Sequence, residues 1–239
     1  MLQRIFHILF PRRCPICDRV LAPGEDKICR QCRKHTEVIT EPICKRCGKP
    51  IAKAGEEFCF DCSRKQVSYE RGYAVWVYDK YMKKSIASFK YSGRKEYGRF
   101  YVEELVYHLG SRLERLRLDA VMPVPLHKER LRFRGFNQAE LLAEGIGKKM
   151  GVPVYTNLLL RVKNTKPQKG LNDKERHENL RHAFKVNSRG KEICPKLKRV
   201  LLVDDIYTTG ATIDACAKAL KKAGVSEVYF VCLCIGKDF

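Results

Sequence analysis

Cysteine spacing constrains the amino-terminal part of this 239-residue chain more than any other feature. Eight of the twelve cysteines form four C-x2-C pairs: Cys14/Cys17, Cys29/Cys32, Cys44/Cys47 and Cys59/Cys62. Each cysteine of the first two pairs recurs 30 positions later, which makes the segment an internal repeat of two copies. The repeat predicts two small cysteine-rich units of one design.

Zinc is the metal ion that this cysteine spacing favours. A C-x2-C turn directs two thiolates at one ion, and four thiolates fill a tetrahedral site, which indicates a structural role. Disulfides are the alternative, but nothing in the sequence marks secretion, and such pairs in a reducing compartment are typical of metal sites. Spacing alone permits sequential or cross-braced pairing. The repeat favours one zinc ion per copy, with Gly24 and Gly55 in equivalent hairpin turns.

The charge balance predicts an anionic partner. There are 48 Lys and Arg residues against 27 Asp and Glu, a formal charge of +21, which fits nucleic acid, a phosphate ligand or a membrane surface.

The hydrophobic content of the chain, 44% of its residues, excludes a disordered protein. No apolar run approaches the roughly 20 residues that span a bilayer, so we expect a cytoplasmic protein without stable membrane insertion. For Leu2 to Phe10 we expect a terminal helix or strand, with a weak membrane contact as the alternative.

Composition changes after Cys62, and we predict a double zinc ribbon at residues 1–65 and a second domain at residues 66–239. Strands are predicted at 73–78, 120–125, 152–157, 199–203 and 227–235, and helices around 82–89, 105–116, 137–150 and 212–223. This alternation predicts an α/β fold, a parallel sheet with helices on both faces, which binds ligands beyond the carboxyl ends of its strands. The other cysteines lack metal spacing and are expected in the core: Cys194, Cys216, Cys232 and Cys234.

The segment from Val200 to Thr212, VLLVDDIYTTGAT, carries the most chemistry. A buried strand ends in two acids, Asp204 and Asp205, and a TTGAT turn opens a helix. Because a helix amino terminus offers unpaired N–H groups and a partial positive charge, the turn can hold a phosphate while the acids accept hydrogen bonds from sugar hydroxyls. The alternative is two ordinary loop acids and a helix cap at Thr212.

This string resembles the phosphoribosyl pyrophosphate (PRPP) motif of type I phosphoribosyltransferases. With PVPLHKERLRFRGFNQAELLAEGI (123–146), TKPQKGLNDKERHENLRHAF (165–184) and the cysteine repeat, the chain is similar to the ComF family of competence proteins. The resemblance implies a type I phosphoribosyltransferase-like sheet behind a double zinc ribbon. It also implies Mg²⁺ bound with PRPP, Asp204 and Asp205 as catalytic, ribose-binding acids, and a phosphate site made by Thr208, Thr209, Gly210, Ala211 and Thr212.

The resemblance further implies basic contacts to pyrophosphate or nucleic acid. The candidates are Lys128, Arg130, Arg132 and Arg134 in the loop 126–134, with Lys90 and Arg94. Asn164 to Arg181 would be a flexible loop that closes over the ligand. Tyr91, Tyr97, Phe100 and Phe136 either follow a nucleic acid strand or pack in the core.

Three functions remain open. The ComF resemblance implies a competence factor that assists uptake of single-stranded transforming DNA. The alternative is an active phosphoribosyltransferase, a pentosyltransferase, with an unknown acceptor. The third is an adaptor whose ribbons dock a helicase-like DNA-translocating ATPase.

Overall fold

The computed structural model describes residues 11–52, 55–164, 180 and 182–236. The predictions for Leu2 to Phe10 and for most of the loop from Asn164 to Arg181 lie outside the described residues.

A parallel sheet of four strands forms the centre of the fold. Its strands are β1 (Arg71–Val77), β2 (Ala120–Pro123), β5 (Arg199–Tyr207) and β6 (Glu227–Ile235), in the order β1-β6-β5-β2. The short strands β3 (Leu159–Arg161) and β4 (Phe184–Val186) form a separate antiparallel pair. Because the central sheet is covered on both faces, β5 and β6 are almost continuously apolar rather than alternating.

Helices cover both faces of this sheet. The long helices among the described residues are α3 (Lys80–Tyr91), α4 (Tyr97–Glu114), α6 (Gln138–Met150) and α8 (Ala211–Lys222). The short ones in the same part of the chain are α1 (Arg30–Arg33), α2 (Phe60–Arg64), α5 (Lys128–Arg134) and α7 (Ser188–Ile193), which a 3-10 turn at Cys194–Lys196 follows. Alternate residues of β5 enter two different cores, one on each face of the sheet. Leu202 packs in the core between the sheet and α8, and Leu201 packs in the core between the sheet and helices α4 and α6. This confirms the α/β class with helices on both faces.

The two cysteine repeats lie on opposite faces of the sheet. Cys14, Cys29 and Cys32 of the first repeat are buried in the core that contains α3 and α4, and Cys17 packs against it. The four cysteines of the second repeat are buried in the core that contains α8. The connection between the repeats runs along β1, where the Ile39 N–H donates to the Val75 carbonyl at 2.8 Å and Val38 pairs with Trp76 in antiparallel sense. The connection therefore covers an edge of the sheet that would otherwise expose unpaired backbone groups.

Equivalent positions of the two repeats carry different residues for a packing reason. Asp18 and Gly48 each follow a C-x2-C pair and have positive φ angles of 65° and 81°. A Cβ atom on Gly48 would lie 2.8 Å from the Gly72 carbonyl oxygen, so only glycine fits there. Asp18 has room for a side chain, which lies 3.1 Å from the Nε of Arg94 and accepts a hydrogen bond from the Tyr97 hydroxyl.

The sequence prediction fails in three places. Residues 152–157 form no strand, because only Val154 pairs with β2, through a single bridge to Val121, beyond which the chain turns away. Residues 126–134 are not wholly a loop, since α5 forms there. Between residues 157 and 199, where no strand or helix was predicted, the described residues also form β3, β4 and α7.

Candidate functional site

A polar cavity of about 190 Å³ opens beyond the carboxyl ends of β2 and β5. Its polar and charged lining residues are Lys90, Arg130, Arg134, Asn137, Gln138, Arg161, Asp204, Asp205 and Thr212. This is the edge at which parallel α/β sheets bind ligands. We call this cavity the cleft.

A larger cavity of about 980 Å³ lies between α8 and β4 and is lined mostly by alanine and lysine side chains. Neither Asp204 nor Asp205 borders it. We place the chemistry in the cleft, because buried acids and cations converge there and perturbed titratable groups mark functional sites.

The two acids at the end of β5 differ in their surroundings. Asp205 lies with its Oδ2 at 2.7 Å from the Nζ of Lys90, and its N–H donates to the Oδ1 of Asp204 at 2.8 Å. Burial, with the adjacent Asp205 carboxylate, raises the pKa of Asp204 to about 7. Burial lowers the pKa of Lys90, but the carboxylates of Asp205 and Asp204 outweigh it, so the net pKa is raised. The cleft thus holds a charged lysine and an acid that titrates near neutral pH.

The turn after β5 connects these acids to α8. Gly210 has a φ of 80°, and a Cβ atom there would lie 2.4 Å from the Tyr207 hydroxyl, so the position requires glycine. Helix α8 begins at Ala211, and Thr212 lines the cleft. The buried Oγ1 of Thr209 has no hydrogen-bond partner among the described residues. An unpaired buried hydroxyl costs stability, which a bound anion would offset.

The RGFNQA string forms the joint between α5 and α6. Gly135 ends α5 with a φ of 75°, and Phe136 is buried. Asn137 then caps α6: its Oδ1 accepts from the Ala139 N–H at 3.1 Å, and its Nδ2 donates to the Val124 carbonyl at 3.1 Å. The joint fixes the start of α6 to the chain leaving β2.

This joint brings two polar side chains to the cleft. Arg134 donates to the Gln138 Oε1 at 2.9 Å and to the Tyr91 hydroxyl at 3.0 Å, and its guanidinium lies 4.9 Å from the Tyr91 ring centre. Gln138 is 2% exposed, and its Nε2 has no hydrogen-bond partner among the residues that the structure describes. A donor is therefore available on the wall of the cleft.

The structure brings together some of the predicted basic contacts and separates others. Lys90, Arg130 and Arg134 line the cleft with the acids. Lys128 and Arg132 are exposed and lie outside its lining, and Arg94 pairs with Asp18 of the first repeat.

Three polar residues of the cleft were missed as site residues from the sequence: Asn137, Gln138 and Arg161. Arg161 follows a short apolar run and lacks a local signal; burial lowers its pKa, and the charge of Arg130 lowers it further. Gln138 lies in the RGFNQA string, which marked the segment without assigning a role to that side chain.

Most of the aromatic candidates for a nucleic acid path belong to the core. Tyr97, Phe100 and Phe136 are buried, which agrees with the alternative that they pack in the core. Tyr91 is 62% exposed at the mouth of the cleft.

Both cysteine groups have metal-site geometry. The structure groups Cys14, Cys17, Cys29 and Cys32 in one site and Cys44, Cys47, Cys59 and Cys62 in the other, as sequential pairing requires. The Sγ atoms of Cys17 and Cys29 are 3.9 Å apart, and those of Cys47 and Cys59 are 3.6 Å apart. Zinc–sulfur bonds of about 2.3 Å in a tetrahedron place sulfurs roughly 3.8 Å apart, so the residues fit zinc. The remaining four cysteines are buried in the cores.

Within the described residues, none of the helices combines the length and the apolar character needed to cross a bilayer.

Comparison with known proteins agrees with these two parts. Residues 5–63 match the family described as double zinc ribbon domain, and residues 142–238 match the family described as phosphoribosyl transferase domain. Competence protein F of Haemophilus influenzae is 30% identical over 92% of this chain and 95% of its own length. The chain belongs to the ComF family. Competence protein ComFC of Bacillus subtilis is 30% identical over 85% of this chain and 82% of its own. DNA utilization protein YhgH of Escherichia coli K12 is 29% identical over 94% and 97%.

Proposed function

We propose that this ComF-family protein binds PRPP in the cleft and assists the handling of single-stranded DNA during natural transformation. One observation carries the PRPP assignment. Asp204 and Asp205 lie with Lys90 at the end of β5, directly before a glycine turn in which the Thr209 hydroxyl is buried and unpartnered. Acceptors for sugar hydroxyls and donors for a phosphate thus follow one another in one short segment of the chain, which supports the assignment.

In this proposal each part of PRPP has its own residues. The 5-phosphate occupies the turn from Thr208 to Thr212, including the Thr209 hydroxyl. The ribose hydroxyls donate to the Asp204 and Asp205 carboxylates. The pyrophosphate faces the cations of the opposite wall: Arg130, Arg134 and Arg161. Mg²⁺ enters with PRPP, because phosphate and carboxylate oxygens are its preferred ligands.

The unpartnered donors provide the test of this placement. Thr209→Val and Gln138→Leu each remove a donor while nearly conserving shape. We expect each to weaken PRPP binding about tenfold in calorimetry with Mg²⁺, because one hydrogen bond to a charged group is lost. The melting temperature of Thr209→Val should not fall, since that change removes an unpaired buried hydroxyl. Gln138→Leu also removes the Oε1 that accepts from Arg134, so a small loss of stability is expected there. Unchanged PRPP affinity in both variants would overturn the placement.

The DNA part of the proposal rests on helix α5. Its cations form two pairs spaced four residues apart: Arg130 and Arg134 line the cleft, and Lys128 and Arg132 are exposed. The pairs are offset by two residues, or about 200° around a helix, so they lie on nearly opposite faces. Phe133 is 83% exposed next to Arg132. Exposed cations with an aromatic ring suit single strands, and the names of the ComF relatives concern competence and DNA utilization.

Salt dependence of DNA binding tests this division. Lys128→Gln with Arg132→Gln should make the slope of log affinity against log salt shallower by about 1.4, at roughly 0.7 per single-strand phosphate contact, and should leave PRPP affinity unchanged. Arg130→Gln with Arg134→Gln is the matched control, and it should weaken PRPP while leaving the slope near that of the wild type. DNA binding that does not depend on salt would contradict the proposal. So would equal slopes in the wild type and in the Lys128→Gln, Arg132→Gln double variant.

An active phosphoribosyltransferase is the second candidate, because Arg130, Arg134 and Arg161 line the same cleft as the two carboxylates. These cations would neutralise departing pyrophosphate in an oxocarbenium-like transition state. Pyrophosphate release from PRPP across a panel of acceptors is the direct test.

Four further assignments complete the proposal. We infer two structural zinc ions, one in each cysteine group, and a cytoplasmic location. A helicase-like DNA-translocating ATPase is a proposed partner of the ribbons. The division between residues 65 and 66 stays a prediction.

A further inference from the structure

Two consecutive residues that follow the second cysteine repeat bond to both ends of the turn 208–212. The hydroxyl oxygens of Tyr69 and Tyr207 are 2.7 Å apart, and the Ser68 N–H donates to the Oδ1 of Asp214 at 2.7 Å. Tyr207 is the last residue of β5, and Asp214 lies in the first turn of α8. We call this pair of bonds the Ser68–Tyr69 clamp.

Tyr207 transmits this restraint into the turn. Its hydroxyl lies directly against Gly210, where a Cβ atom would approach to 2.4 Å. The Tyr207 and Tyr69 side chains are both buried, and their rings meet edge to face with centres 6.4 Å apart. A displacement of the Tyr207 ring toward Gly210 would therefore push on the backbone of the turn.

A close-packed path leads back from Tyr207 to the second cysteine repeat. The Tyr207 ring stacks on Phe230 with centres 4.9 Å apart and an angle of 4°. A Cβ atom on Gly72 would lie 2.0 Å from the Phe230 ring, and one on Gly48 would lie 2.8 Å from the Gly72 carbonyl. Neither Gly72 nor Gly48 on this path has room for a methyl group. The first repeat lies in the opposite core and does not share it.

We propose that the clamp makes the second cysteine repeat the element that positions the phosphate turn, with Ser68 and Tyr69 as positioning residues that do not touch ligand. This inference rests on the proposed PRPP site. It assigns different roles to the two repeats. The second repeat sets the affinity of the turn for a 5-phosphate, while Arg130 and Arg134 of the proposed pyrophosphate site come from α5, which is not part of the clamp.

Calorimetry on the full chain tests the clamp with three probes: PRPP with Mg²⁺, ribose 5-phosphate, and inorganic pyrophosphate with Mg²⁺. Tyr69→Phe leaves the Tyr207 hydroxyl buried and unpaired. We expect it to weaken PRPP and ribose 5-phosphate about fivefold to thirtyfold and to leave pyrophosphate unchanged. Tyr97→Phe is the matched control, because it removes a hydroxyl bonded to Asp18 of the first repeat. It should leave the affinity for all three probes unchanged.

A double variant separates positioning from general loss of stability. Tyr69→Phe with Tyr207→Phe removes both hydroxyls, so no unpaired group remains, and phosphate affinity should be no lower than in Tyr69→Phe alone. The clamp would be overturned if Tyr69→Phe weakened the binding of pyrophosphate and of ribose 5-phosphate equally. It would also be overturned if the losses of affinity from the two substitutions added up in the double variant. If wild-type protein binds pyrophosphate but neither phosphoribosyl probe, the proposed PRPP site fails as well, and the clamp fails with it.

Discussion

The Nζ of Lys90 lies 2.7 Å from the Oδ2 of Asp205, and both side chains are largely buried. Lys90 comes from α3, which packs on the first cysteine repeat, where the Ser85 hydroxyl donates to the Pro15 carbonyl at 2.6 Å. Asp205 comes from the central strand β5. This ion pair therefore joins two separate elements in the cleft. It also keeps the Asp205 carboxylate paired with a cation before ligand binds.

We expect Lys90→Met to destabilise the protein by about 3 kcal/mol, because it leaves a buried carboxylate without its cation. Adding Asp205→Asn should recover part of that loss. Urea unfolding at neutral pH measures both. The control is Arg99→Gln, which removes an exposed pair with Glu103 and should cost under about 1 kcal/mol. Equal costs for the buried and exposed changes would contradict the compensation of Asp205 by Lys90.

The contribution of Asp204 to stability should fall as pH rises from about 4 to 7, because folding raises the pKa of Asp204 from its usual 3.8 to about 7. In that window the folded carboxyl keeps a proton that the unfolded chain has lost, so the folded state binds more protons. The slope from this group is at most about 1.4 kcal/mol per pH unit, and it vanishes above pH 7. Asp204→Asn should remove this contribution. Parallel stability curves for the wild type and the variant between pH 5 and 8 would contradict the raised pKa.

Asn137→Ala should cost about 1 to 2 kcal/mol of stability and weaken PRPP binding, because it removes the cap that fixes Gln138 on the cleft. Asn187→Ala is a matched control. Asn187 also caps a helix, with its Oδ1 at 2.8 Å from the Gly190 N–H and its Nδ2 at 2.8 Å from the Asn157 carbonyl, but it does not line the cleft. Both variants should lose stability in urea unfolding, and only Asn137→Ala should lose PRPP affinity. Equal affinity losses would show that capping alone accounts for the effect.

Elemental analysis should find about two zinc ions per chain, because the eight thiols form two separate four-cysteine groups. Cys14→Ser and Cys44→Ser should each remove about one ion. Since the two groups lie in opposite cores, neither change should release both. Loss of both ions from one substitution would contradict independent sites.

The sequence predicts the parts of the fold whose signals are local. Strand β5 and the TTGAT turn are recognisable because a buried parallel strand is a continuous apolar run and a phosphate turn needs its glycine next to the acids. Helix α5 was missed, because it has no buried side chain and so no apolar face to detect. Without that helix, the four cations in 128–134 cannot be divided between the cleft and solvent.

Contacts that join distant segments explain the other differences. Arg161 reaches the cleft only through the pairing of β3 with β4, which no periodicity indicated. Arg94 was assigned to the ligand as a cation, but Asp18, 76 residues away, holds it. The Ser68–Tyr69 clamp spans more than 130 positions and has no sequence signature. Such contacts depend on the assembled sheet.

Binding of PRPP with Mg²⁺ to wild type and to Asp204→Asn at pH 8, by isothermal titration calorimetry, tests the central claim most directly. Asp204 is the better choice of acid, because Asp205→Asn would leave Lys90 buried without its partner. Wild-type protein should bind one PRPP, and Asp204→Asn should bind at least about tenfold more weakly, because a charged acceptor of a ribose hydroxyl is lost. Its melting temperature at pH 8 should not fall, because a buried charge has been removed. Equal affinities, or no binding by the wild type, would contradict a PRPP site at the end of β5.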